Sequence, residues 1–120
     1  MKFSSLERAA LSFLAESAPH PNVATQLHAA QPVHREFTGA GSFTELNLPP
    51  ASPPIPANLP FVAEGMPLAG VEIVSPSLSA GACAMVWFKE GCARTLEVAG
   101  PGISDHDFPF SLRVSGVSTV

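Results

Sequence analysis

Asp105-His106-Asp107 is the densest titratable cluster in the chain. An imidazole between two carboxylates could act as a general base or hold a weakly bound cation. A solvated loop is the competing reading, since the triplet follows the turn Gly100-Pro101-Gly102 and precedes Phe108-Pro109-Phe110. A second candidate lies in Arg35-Glu-Phe-Thr-Gly-Ala-Gly-Ser-Phe-Thr44. There Arg35, Thr38 and Thr44 flank a hinge made by Gly39 and Gly41, and a guanidinium beside hydroxyls suits a carboxylate or phosphate. Glu97, on a later strand, is a further candidate for this ligand-binding set. The plainer reading gives Arg35 a sheet glutamate as its partner, with Glu36, Glu45, Glu72 and Glu97 available.

Other chemistry finds little footing. The histidines at 20, 28, 34 and 106 lack the paired spacing of a zinc site, so no metal and no cofactor is expected. No Gly-x-Ser-x-Gly elbow occurs, and neither Cys83 nor Cys92 has a histidine near it in sequence. Gly39-Ala-Gly41 lacks the lysine and following helix of a phosphate loop. The six Lys and Arg are dispersed, and the net charge is −4. That argues against nucleic acid and against an anionic membrane surface. No apolar run approaches the roughly 20 residues of a spanning helix. The composition, 46% apolar and only 13% charged, leaves a homodimer as open a reading as a monomer.

The elements that must position these residues read as a single α+β domain over 1–120. Ser4 with Glu7 forms a capping-box pattern, and Leu6, Ala10, Phe13 and Leu14 recur at helical spacing, giving a helix over about 4–17. Glu7 and Arg8 interrupt what would be the apolar core of a signal peptide, so a cytoplasmic location is expected. A second helix over about 22–30 would be capped by Asn22. Residues 33–115 are strand-rich, interrupted by a connection over 49–60 that holds six of the thirteen prolines. Proline donates no backbone hydrogen bond, so this stretch is a stiff connection or, alternatively, a polyproline ligand for a partner.

The firmest local feature is a hairpin of 82–88 with 92–98 around Glu90-Gly91. A regular register would set Trp87 opposite Arg94, a cation–π pair worth about 1 kcal/mol, and Cys83 opposite Val98. Cys92 would then lie near the turn and Cys83 roughly 20 Å away, too far for a disulfide. Both faces look apolar, so the hairpin is expected at the centre of the sheet, covered on each side. One or two N-terminal helices should pack on a mainly antiparallel, twisted sheet of four to six strands.

Two segments in this order, Arg35–Thr44 and Ala82-Cys-Ala-Met-Val-Trp-Phe-Lys-Glu-Gly-Cys-Ala-Arg-Thr-Leu-Glu97, resemble a family of small bacterial proteins with no assigned activity. The resemblance spans roughly residues 22–110. It departs at Glu90-Gly91, where Asp-Gly is the family pattern, at Val98-Ala99, and at Phe108-Pro109 in place of Trp-Pro. It implies an α+β fold and carries over no catalytic residue. The function expected is a small non-catalytic binding or interaction module for an unidentified small ligand or protein partner. The alternatives are a hydrolase-like or lyase-like enzyme using Asp105, His106 and Asp107, and a structural subunit docking through the proline segment.

Overall fold

Two amphipathic helices and a run of short, alternating strands give a two-layer α+β protein in the computed structural model, which describes residues 1–115. Helix α1 (Ser5–Glu16) begins with the full capping box: the Ser4 hydroxyl accepts from the Glu7 N–H, and the Glu7 carboxylate accepts from the Ser4 N–H. It buries Leu6, Ala10, Leu11 and Leu14. Helix α2 (Pro21–Ala29) is capped two residues earlier than Asn22 suggests. Pro21 occupies the first helical position, where its fixed φ is already helical, and the His20 ring caps the helix by accepting from the Asn22 N–H. Asn22 is thereby freed to donate its side-chain amide to the Pro54 carbonyl.

The strands are β1 (Gln31–Phe37), β2 (Gly41–Asn47), β3 (Leu68–Val74), β4 (Ala82–Lys89), β5 (Cys92–Ala99) and β6 (Ser111–Val114). They form one antiparallel sheet in the order β1-β2-β5-β4-β3-β6, with the β4–β5 hairpin at its centre. Pro32 sits in the edge strand β1, where its missing donor costs the ladder least. A short helix α3 (Pro60–Ala63) follows the proline connection, and Phe61 packs against Phe88.

The hairpin departs from its regular register. A bulge between Trp87 and Phe88 keeps Lys89 opposite Cys92 but sets Trp87 opposite Thr95 and Cys83 opposite Ala99. Because side chains alternate, one extra residue moves everything beyond it to the other face. Arg94 thus no longer faces Trp87, and the indole instead donates to Glu97 Oε1 at 2.9 Å. Ala84, Val86, Leu96 and Val98 are fully buried beneath the helices. The opposite face, with Phe43, Met85 and Trp87, stays partly exposed, so the hairpin is covered on one side only. Both cysteines are free thiols.

The proline connection is stitched down. Gln26, fully buried in α2, donates to the carbonyls of Pro53 and Gly91 and accepts from the Ala93 N–H, each at 2.8 Å. Ile55 is buried, and its N–H reaches the Gly91 carbonyl.

Candidate functional site

Where the first turn of α1 meets β1, β2 and the 105–110 loop, six polar side chains lock together: Ser4, Glu7, Arg35, Ser42, Thr44 and His106. The capping residue Glu7 is fully buried, yet it is charged. Arg35 holds it through both Nε and Nη2, and the Thr44 hydroxyl also donates to it. Burial alone would push the Glu7 carboxyl up. The hydrogen bonds from Arg35, Thr44 and the Ser4 N–H, with the guanidinium charge, outweigh it and hold the group below its ordinary value. Arg35 Nη2 also donates to the Lys2 carbonyl at 3.0 Å, tying the residues before α1 to β1. Arg35 and Thr44 are cross-strand partners, so the β1–β2 register places both groups under the helix.

Beside this pair stands His106. Its Nδ1 lies 2.8 Å from the Ser4 hydroxyl and its Nε2 lies 2.8 Å from the Ser42 hydroxyl, while Phe37 packs edge-on against the ring with centroids 5.1 Å apart. Burial is the largest influence and pushes the imidazole pKa down. The Glu7 charge pulls it back up, the Arg35 charge opposes Glu7 less strongly, and Asp105 adds the smallest upward pull, so burial prevails. A neutral imidazole donates from one nitrogen and accepts at the other. Ser42 is only 1% exposed, and the ring is its sole side-chain hydrogen-bond partner among the described residues. A buried hydroxyl without an acceptor is costly, so Ser42 donates to Nε2, and the ring N–H at Nδ1 donates to Ser4. The Ser4 oxygen then accepts twice, from His106 and from the Glu7 N–H, and in that arrangement its own O–H is left to donate elsewhere.

That hydroxyl opens onto a cleft of about 490 Å³ lined by Ser4, Ser5, Arg35, Phe37, His106 and the loop residues Asp105, Asp107, Phe108 and Phe110. Three phenylalanines, Phe37, Phe108 and Phe110, supply its apolar surface beside six polar lining residues. Asp105 accepts from the Asp107 N–H at 2.8 Å, which shapes the loop, and both aspartates are exposed at the rim. Neither carboxylate bonds the imidazole.

The residues picked out by sequence therefore separate into three places. Arg35, Thr44 and His106 converge, with Asp105 and Asp107 at the rim. Glu97 lies on the other face of the sheet, opposite Phe43 and bonded to Trp87. Thr38, Gly39 and Gly41 form a self-contained turn: the Thr38 N–H donates to the Gly41 carbonyl, and the Thr38 hydroxyl accepts from the Ala40 N–H. Gly41, at φ +139°, has a structural reason to be glycine, because a Cβ there would meet the Val98 carbonyl oxygen at 2.0 Å. The hinge is a bend docked against β5.

Three residues of the cluster carry no sequence signal as site residues. Glu7 is fully explained by the capping box, so nothing in the pattern asks for a second partner. Ser4 and Ser42 join His106 across 102 and 64 residues of chain. Among the described residues, no three His, Cys, Asp or Glu gather as a metal-binding group, and no helix is long and apolar enough to cross a membrane. Comparison with known protein families, curated proteins and solved structures finds no match to this chain.

Proposed function

We propose that this protein is a small non-catalytic binding module whose ligand site is the cleft between the start of α1, the end of β1 and the 105–110 loop. The observation that carries the reading is the fixed polar edge set against three phenylalanines. The two nitrogens of His106 each lie 2.8 Å from a serine hydroxyl, and with buried Ser42 donating to the ring, the Ser4 hydroxyl keeps a donor for the cleft it lines. A pocket that is mostly apolar with a few well-placed polar groups is the usual form of a small-molecule site. The free groups at the base are donors, and the rim carries two carboxylates. The ligand class is thus a flat, apolar, uncharged molecule bearing a carbonyl-type acceptor. Kinship with the small bacterial family it resembles, and a cytoplasmic setting in keeping with two free thiols, belong to the same proposal.

A hydrolase-like use of the cleft has one observation in its favour, the 2.8 Å approach of Ser4 to His106. Against it, the second imidazole nitrogen meets a hydroxyl where a nucleophile–base pair would want an orienting carboxylate. A thermal-shift screen with flat carbonyl compounds tests the binding reading. Hits should raise the melting temperature of the wild type and lose that effect in Phe37→Ser, whose ring is partly exposed. Hits that survive the substitution, or a screen without hits, would remove the cleft as the site.

A further inference from the structure

On the other side of the first turn of α1 lies a second cleft, of about 390 Å³, bounded by α1, α2 and the start of β1. Its composition is unlike the rest of the surface. The chain has six Lys and Arg and ten Asp and Glu, and this cleft takes two of the former, Lys2 and Arg8, and none of the latter. His28 on α2 adds a ring N–H donor to the same lining. Neither Lys2 nor Arg8 has an ion-pair partner among the described residues, because the nearest carboxylate in sequence, Glu7, is turned inward and bound by Arg35. Arg8 and Ser12 are one helical turn apart, so α1 presents both to the same space. The cleft's lining also has an apolar part: Leu11 and Leu27 are buried core residues whose edges reach it, and Phe3 and Pro32 line it as well.

We propose that this cleft binds a small amphipathic anion, with the anionic head, a carboxylate or a phosphate monoester, between Lys2, Arg8 and His28 and a short acyl chain along Leu11, Leu27 and Phe3. Three features converge on that class. Unpaired cations without a nearby acid attract an anionic head, and charge-assisted bonds from Arg and Lys are the strong kind. An apolar lining continuous with the core takes a hydrocarbon tail. The volume lies at the small end of the range for ligand pockets, which suits a short chain. This site is independent of the cleft at His106, which lies across the Arg35–Lys2 carbonyl bond from it.

The test is a titration of the full-length, 15N-labelled protein followed by amide shifts. Octanoate or octyl phosphate should move the amides of Leu11, Ser12, Leu27 and His28, and whichever binds tighter identifies the head. Octylamine, with the same tail and opposite charge, and acetate, with the head alone, should leave them in place. The double variant Lys2→Gln, Arg8→Gln changes only exposed side chains and should weaken binding by roughly tenfold or more. Its unchanged amide spectrum around His106 would show that the fold is kept. Equal response to octylamine or to acetate, unaltered affinity in the double variant, or no shift at about 10 mM of either anion would overturn the proposal.

Discussion

Each of the two N-terminal helices buries one long polar side chain completely, and the two are handled in opposite ways. Gln26 of α2 is neutral and spends both ends of its amide on backbone groups, the carbonyls of Pro53 and Gly91 and the N–H of Ala93. Its bonds all end inside the protein, and they sew the proline connection and the hairpin turn to the helix. Glu7 of α1 is charged and bound mainly by side chains, and its partner Arg35 is 18% exposed and lines a cleft. Its network runs outward, through Ser4 and His106, to a free hydroxyl. A buried amide satisfied by backbone needs no further explanation than the fold. A buried charge beside a doubly hydrogen-bonded histidine at a cleft is the arrangement on which the proposed binding reading rests.

Substitutions should separate the two. Arg35→Ala strands a buried carboxylate and is expected to destabilise by roughly 3–5 kcal/mol in urea titrations at neutral pH. Gln26→Leu leaves the Ala93 N–H without a partner and should cost about 1–3 kcal/mol. The two also differ in their response to acid. The Glu7 pKa is lowered from 4.5 in the folded state, so its stabilisation is present above that value and is lost as pH falls through the folded pKa. Gln26→Leu should therefore lower the stability curve by a similar amount at every pH, whereas Arg35→Ala should flatten its acid limb.

A smaller effect belongs to His106. Its pKa is lowered from 6.5 by burial, then by Arg35, so on acidification the unfolded chain takes up a proton before the folded one does. Stability should decline as pH drops below about 6.5, and His106→Gln should remove that slope while costing about 1 kcal/mol at pH 8. The smallest change is expected on the open sheet face. Trp87→Phe removes the indole bond to Glu97 at a partly exposed position, a shift within about 0.5 kcal/mol by the same titration.

The fold was legible where local rules agree. Ser4 and Glu7 announce the start of α1, Glu90-Gly91 announces the hairpin, and the prolines mark a connection. The bulge beside Trp87 was not legible, because Arg94 fits a regular strand as well as an irregular one, and the register that buries Ala84, Val86, Leu96 and Val98 on one face is decided by tertiary packing. For the site, Arg35, Thr44 and His106 stood out by residue type. Their assembly did not, since each meets its partners over long stretches of chain. Glu97 stood out for the same reason as Arg35, yet lies on the opposite face, because the pleat sends neighbouring positions to opposite sides. Gly41 looked like part of a site and is instead required by the closeness of the Val98 carbonyl.

The contrast between the two helices is tested most directly by mapping amide shifts as a flat carbonyl compound from the thermal screen is titrated into the protein. Shifts should gather at Ser4, Ser5, Phe37 and residues 105–110, with Gln26, Gly91 and Ala93 unmoved. Shifts centred on Gln26 and the hairpin turn, or none around His106, would contradict the account.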